Sequence, residues 1–405
     1  MGRRAQTVRA CSVSRKYSAL LMCGGIRRAG AQVISTHMNY KLITRDMERS
    51  MDRVENQPLV KRDTEYFLAN IGKITSAEEL VNDYRLFNYA MKAHGLQDMA
   101  YAKAFMLKAL EGGVSDPDSF ANKLSDKRYA QFVADFNFVA NGEKTTTYNL
   151  ARDATVDNYI NRATGSGVLP QTETVKKETA YYQENIGAVE SIEDLLADER
   201  LLEYALRAFS IEDLELTKTE LSNILLGGVS EPDSLANKHS DANVAKFVTA
   251  FNFAELGEET TSYVASQNKV TAQYLRQTLE EDAGLENEGV RLALYFERKA
   301  PDIKSFYDVL ADAALGEVVR TALGLPASSA QADLDKQVQA FEKRLSLEDF
   351  TDPAKLTKFL ARFTVMWDVT NAPAASSSPA VSLISQPAQL GISVDTMMAI
   401  ARLKS

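Results

Sequence analysis

Fifteen consecutive residues of this chain occur twice. Residues 112–126, GGVSDPDSFANKLSD, return as GGVSEPDSLANKHSD over residues 227–241, with changes only at Asp116, Phe120 and Leu124. The flanks keep that register without a gap. Lys61 aligns with Lys176, Tyr66 with Tyr181, Asn70-Ile71-Gly72 with Asn185-Ile186-Gly187, and Phe132-Val133 with Phe247-Val248, an offset of 176 − 61 = 115 residues. A unit of that length is a whole folded module, because solenoid repeats run to roughly 20–50 residues. Whatever the chain folds into, it must build it twice. The residues that recur are packing and capping types with no catalytic set among them, which argues against most enzyme classes.

Beyond residue 38 the apolar period is helical. Ile43, Met47, Met51 and Val54 fall four, four and three apart, on one face of an N-terminal amphipathic helix. In the first copy, a helix over 61–71 stops at Gly72. Ser76 and Glu79 form a capping box that opens a helix carrying Leu80, Phe87, Ala90 and Met91 inward, and Ser191 with Asp194 restates the box in the second copy. A helix over about 98–110 stops at Gly112-Gly113. Asp116-Pro117 reads as N-cap and first-turn proline, and Ser125 as the cap of a helix that buries Tyr129, Phe132, Val133 and Phe136. Gly142 ends that helix, and a polar amphipathic helix runs on to about Arg162. No stretch alternates as a strand would. The expected class is all-α.

A third, diverged copy follows. Tyr295-Phe296, Ile303, Val309, Asp312, Leu315, Val319, Ala322 and Gly324-Leu325 stand where the first copy has Tyr66-Phe67, Ile74, Leu80, Asp83, Leu86, Ala90, Ala93 and Gly95-Leu96, at an offset of 295 − 66 = 229. It lacks the Gly-Gly segment, as a terminal unit would. The expected plan is a basic extension (1–37), an amphipathic helix (38–60), three helical units (61–164, 176–281 and 287–370), and a C-terminal segment (371–405). That last segment joins the Pro/Ala/Ser linker NAPAASSSPA to a helix with Val394, Met397, Met398 and Ala401 on one face.

Charge narrows the partners. The formal charge is −9, yet residues 1–32 hold seven basic side chains and no acidic one, so the rest carries 39 − 55 = −16. A body that acidic repels nucleic acid and anionic membranes, and no apolar run reaches the roughly 20 residues of a membrane span. Both cysteines, Cys11 and Cys23, lie in the basic segment, so the body has neither disulfides nor thiolate metal ligands. Three readings of that segment stay open: a signal peptide, an organellar transit peptide, or translation from upstream of the native start at Val33 or Met38.

No residue set points to chemistry. His37, His94 and His239 lack convergent partners and are read as structural, since catalysis or metal binding needs several groups together. The Asp/Ser/Asn-rich 115–126 segment breaks the ligand spacing of a calcium loop at Pro117 and Phe120 and has no glycine after Asp118. Gly72-Lys73-x-Thr75 resembles the end of a phosphate loop, but Phe67 replaces its first glycine and Ala188 replaces Lys73 in the second copy. The recurring Tyr66/Tyr181/Tyr295 and Phe132/Phe247/Phe359 read as core. Expected cofactors, metals and catalytic residues are therefore none. The two terminal amphipathic faces, Ile43, Met47, Met51 and Val54 at one end and Val394, Met397, Met398 and Ala401 at the other, are the expected partner contacts. Folding back onto the body's own core is the competing reading.

Several of these strings together resemble one family. They are Ile34-Ser35-Thr36 with Tyr40-x-Leu42-Ile43-x-x-Asp46, the Asp-Pro-Asp-Ser-x-Ala-Asn-Lys-x-Ser-Asp loop, the Phe136/Phe138 and Phe251/Phe253 pairs, and the ending Gly391-Ile392-Ser393-Val394-Asp395. They resemble DUF1217 proteins, alphaproteobacterial chains often encoded among flagellar genes, over residues 33–405. The resemblance implies a non-enzymatic structural or assembly protein of flagellar biogenesis or motility, cytoplasmic or associated with the flagellum after export, with protein partners. Two other readings stay open: a soluble enzyme with its site between repeat units, near 164–177, and a calcium-modulated binding module.

Overall fold

The computed structural model describes residues 35–165 and 172–371, and among these every regular element is a helix. The first copy runs Pro58–Ile71, Ala77–Asn82, Tyr84–Ala93, Lys103–Gly112, Phe120–Lys123, Arg128–Asp135, Phe138–Asn141 and Thr155–Gly165. The second runs Glu173–Asn185, Ile192–Ala197, Glu199–Ala208, Lys218–Gly227, Leu235–Lys238, Ala242–Ala250, Phe253–Leu256 and Val270–Glu286. Each copy enters its last helix through one π-helical turn, Leu150–Ala154 or Ala265–Lys269. Glu288–Lys299, Phe306–Ala311, Ala313–Ala322, Leu334–Glu342, Glu348–Thr351 and Pro353–Asn371 form the third unit.

One aspartate shapes all three units. The sequence suggested a single helix from Ser76 through Met91; instead Asp83 breaks it, its Oδ1 accepting the backbone N–H of Arg85 and Leu86 at 3.0 Å each. Asp198 and Asp312 cap the matching helices in the same way. The other carboxylate oxygen takes a tyrosine hydroxyl from the unit's first helix: Tyr66 to Asp83 at 3.3 Å, Tyr181 to Asp198 at 2.8 Å and Tyr295 to Asp312 at 2.6 Å. A capping residue thus also ties two helices together, which is why the pair recurs in the diverged copy.

Three other expected caps shift. Ser76 does accept from the Glu79 N–H at 3.2 Å, but the Glu79 carboxylate reaches back to Thr75, one residue earlier than a closed box requires. Asp116 makes a local turn, accepting the Asp118 N–H at 2.8 Å, and the short helix starts only after Ser119. Asp126, in place of Ser125, accepts from the first turn of Arg128–Asp135. The Gly-Gly stop holds: Gly113 adopts φ +60, and a Cβ there would meet Val139 at 3.1 Å.

The first two copies exchange their last helices. Val270–Glu286, the end of copy two, packs on Tyr84–Ala93 of copy one, while Thr155–Gly165, the end of copy one, packs on Glu199–Ala208 of copy two. Val270, Tyr274, Leu275 and Leu279 accordingly belong to the first core, and Ala151 and Val156 to the second. The expected unit boundaries at 164 and 281 are therefore not packing boundaries. A helical period shows that a face is apolar, and both copies offer the same groove to cover it. The third unit closes on itself, Pro353–Asn371 lying along Ala313–Ala322.

The expected N-terminal helix is two helices, Thr36–Thr44 and Met47–Glu55, separated where Asp46 caps the second. The first lies against Glu288–Lys299 and Pro353–Asn371 of the third unit, and the second against Val270–Glu286. Its first residue is stapled there, the Thr36 N–H donating to both Asp368 oxygens at 3.0–3.1 Å and Asn287 Nδ2 to the Thr36 hydroxyl at 2.8 Å. The folding-back reading applies to this end of the chain.

Candidate functional site

Polar and aromatic groups concentrate where the copies cross. Tyr89 sits in the middle of a stack, 4.3 Å from Phe67 below and 3.8 Å from Tyr274 of the donated helix above. In the other copy Tyr204 lies 4.4 Å from Tyr182 and 3.9 Å from Tyr159. Thr64 and Thr179 hold the two central hydroxyls, each at 3.0 Å. Burial pushes the Tyr274 hydroxyl up to about 12, because removing a phenolate from water is costly. These tyrosines are packing residues.

The two π-helical turns and the strands of backbone leading into them lie side by side. Asn149 Nδ2 donates to the Thr260 and Tyr263 carbonyls at 3.0 and 2.8 Å, and Ser266 Oγ and Gln267 Nε2 donate to the Thr145 and Thr146 carbonyls at 3.1 and 2.6 Å. Each copy also anchors its crossing to its own body, Thr146 Oγ1 to the Ile74 carbonyl at 2.8 Å and Thr261 Oγ1 to the Val189 carbonyl at 3.0 Å. Side-chain donors therefore satisfy carbonyls that the irregular backbone leaves without ladder partners.

One crossing carries a polar trio. His94, with 2% of its side chain exposed, places Nδ1 2.8 Å from the Ala90 carbonyl and Nε2 3.0 Å from Asp135 Oδ2. Asp135, 4% exposed, receives Lys269 Nζ on its other oxygen at 2.6 Å. Sequence reasoning left His94 without partners because Asp135 and Lys269 are 41 and 175 residues away (135 − 94; 269 − 94). A signal was present: all three positions are polar where their counterparts in the other copy are Phe209, Ala250 and Ala154.

A second polar knot joins the N-terminal helices, the donated helix and the third unit. Glu280, almost wholly buried, takes Arg276 at 3.2 Å and Arg298 at 2.7 Å, and Arg276 also reaches Met47 Sδ at 2.7 Å and the Leu294 carbonyl at 3.1 Å. Beside it burial holds the Glu297 carboxyl above the usual carboxylate range, with Arg276 and the Tyr40 hydroxyl pulling the other way. Pairing with two guanidinium groups offsets the desolvation cost of burying Glu280.

The expected contact residues divide. Val54 is buried and Ile43, Met47 and Met51 pack against the first core, with Ile43 and Met47 also touching the third. Expected as partner contacts, these four face inward because two of the chain's own cores cover the stripe. Val394, Met397, Met398 and Ala401 lie outside the described residues. His37 Nδ1 meets Thr364 Oγ1 at 3.0 Å, and His239 Nδ1 accepts the Asp241 N–H at 3.1 Å. Among the described residues no group of three His, Cys, Asp or Glu is placed to hold a metal ion, and no helix is long and apolar enough to cross a membrane. An open depression of about 660 Å³, lined by Tyr181, Asn185, Asp194, Asp198 and Glu199 among others, lies on the second copy.

The fold and its crossing define a helical repeat protein whose units trade their terminal helices. Residues 93–213 and 208–356 each match the sequence profile of the family described as protein of unknown function DUF1217, and the chain belongs to that family. The two matches begin 208 − 93 = 115 residues apart, the offset of the internal repeat. A crystal structure of a protein from Agrobacterium tumefaciens, solved by a structural genomics consortium, is 33% identical, covering 84% of this chain and 98% of that one with a TM-score of 0.49. No curated protein matches the chain.

Proposed function

We propose that this chain is a non-enzymatic structural or assembly protein that works through protein–protein contacts in flagellar biogenesis or motility. The flagellar setting rests on the family resemblance of the sequence. The contact reading rests on one observation: the segment the two copies keep most alike stands largely in solvent. Part of that likeness is structural. Asn122 Nδ2 clamps the Val114 and Asp116 carbonyls at 2.9 and 2.8 Å, and Asn237 clamps Val229 and Glu231 at 2.8 Å each. Ala121 and Ala236 are buried.

The remainder is not explained by folding. Ser115, Pro117, Asp118, Lys123 and Ser125 are exposed, as are Ser230, Pro232, Asp233, Lys238 and Ser240. The exposed pairs Asp118–Lys123 and Asp233–Lys238, at 3.2 and 3.0 Å, contribute little stability. Identical exposed side chains displayed by both copies suit a partner that offers two equivalent surfaces, where joint engagement raises avidity. The C-terminal face of Val394, Met397, Met398 and Ala401 is a second proposed contact.

Charge reversal of both pairs, Asp118→Lys with Lys123→Asp and Asp233→Lys with Lys238→Asp, tests the reading in motile cells. Reversal in one copy is expected to reduce swimming and reversal in both to abolish it, with helical circular dichroism unchanged. Full motility of the double reversal would overturn the loop as a contact surface.

A further inference from the structure

The two crossings are a comparison built into one molecule. Phe209, at the place of His94, packs against Phe247 and Phe251 with ring centroids 5.8 and 6.4 Å apart. His94 meets Phe132 and Phe136 at 5.1 and 6.4 Å. The ring occupies the same site in both copies, so the fold closes this crossing with or without polar groups. Burying charges carries a desolvation cost that Phe209, Ala250 and Ala154 avoid. What the trio adds is dependence on a proton.

The geometry says which protonation state fits. Ala90 offers a carbonyl to Nδ1 and Asp135 a carboxylate to Nε2. Both partners only accept, so both ring nitrogens must donate, and only imidazolium carries two N–H groups. Lys269, on the other Asp135 oxygen, ends the π-helical turn through which copy two hands its last helix to copy one. We propose that His94, Asp135 and Lys269 form a proton-operated latch on this crossing, closed while the imidazole holds both protons and loosened when it loses one.

The charged surroundings are few. On the side of Asp135, Arg128 donates to the carbonyl of Gly95, next to the histidine, and is itself paired with Asp126. From the crossing segment Lys269 is 44% exposed, and Tyr263 stands near enough to feel the Asp135 charge. Along the donated helix Glu281 pairs with Lys92 at 2.9 Å. Asp135 is the one carboxylate among these bonded to the ring. After proton loss a single ring N–H faces two acceptors; the Ala90 carbonyl keeps the His94 backbone N–H at 3.3 Å, but the ring gives up one of its two buried hydrogen bonds, a loss that corresponds to roughly ten-fold in an opening equilibrium. Rising pH favours loss of that imidazole proton, so the latch loosens as pH rises.

Hydrogen exchange of the full chain, read by mass spectrometry at pH 6 and pH 8 and corrected for intrinsic rates, tests this. Peptides over 265–275 report the latched crossing and peptides over 150–160 the apolar one. Opening of the first is expected to rise about ten-fold at pH 8 while the second stays constant. The variant His94→Phe/Asp135→Ala/Lys269→Ala, which copies the apolar crossing, should lose the pH response. His94→Gln, which donates to Asp135 without titrating, should lose it as well and decides the matter if the triple variant does not fold. Equal responses at both crossings, no response at either, or a response that survives in a folded variant would overturn the latch.

Discussion

Tyr89 and Tyr274 stack at 3.8 Å across 274 − 89 = 185 residues, whereas Tyr159 and Tyr204 make the same contact at 3.9 Å across only 204 − 159 = 45. Equivalent contacts with such different loop lengths are what a reciprocal helix exchange produces. Aromatic pairs contribute about 0.5–1.5 kcal/mol beyond their buried area. Tyr274→Ala should therefore destabilise the chain by about 3–5 kcal/mol, as large aromatic truncations do. A double-mutant cycle of Tyr89 and Tyr274 in urea should return a coupling of about 1 kcal/mol. Additivity of the two changes would mean the donated helix does not rest on Tyr89.

Glu297 gives the polar knot a pH signature. Burial raises its folded value above the ordinary 4.5, so the folded state holds this proton more firmly than the unfolded one. The associated stability is complete below the ordinary value and is lost as pH rises through the raised one. Glu297→Gln still accepts from Tyr40 and carries no charge. It should raise Tm by a few degrees at pH 8, with the advantage fading toward pH 4.5, as followed by paired thermal melts. A variant less stable than wild type at pH 8 would show that the Arg276 pairing outweighs burial.

Trp367, the single tryptophan, reports the joint between the first and last helices of the third unit. A Cβ at Gly289 would lie 2.3 Å from its Cδ1, closer than any carbon contact permits. Gly289→Ala forces the indole outward and should cost about 1–3 kcal/mol, the usual range for overpacking. Its fluorescence should shift to the red. An unshifted spectrum with unchanged stability would place that ring elsewhere.

Helix type and the 115-residue register were legible in the sequence because both follow from local spacing. The Asp83, Asp198 and Asp312 breaks were not. An aspartate within an amphipathic period looks like any solvent-facing position until its tyrosine partner, 17 residues back, is seen. The inward stripe of Ile43, Met47, Met51 and Val54 showed an apolar face without showing which surface covers it. The exchange was hidden for a related reason. Tyr159 and Tyr274 occupy the same repeat position, so their sequences suit either groove. The trio around His94 was marked only by departure from the repeat, visible when three polar residues are matched to Phe209, Ala250 and Ala154 together.

The same ambiguity of groove makes a single copy informative. A fragment of residues 56–165 contains the Tyr84–Ala93 groove but lacks Val270–Glu286, the helix that fills it. Its own last helix carries Val156, Tyr159 and Ile160, whose counterparts at 271, 274 and 275 are Thr271, Tyr274 and Leu275. In the intact chain that helix packs on Glu199–Ala208 of the other copy. Two fragments can satisfy each other by trading these helices, the route by which swapped dimers form at low cost. Light scattering should find a dimer whose helical content survives dilution poorly, and adding a peptide of residues 265–286 should convert it to a one-to-one complex. A stable, fully helical monomer that ignores the peptide would mean that the first copy completes its own core, and that the crossing is not required by the fold.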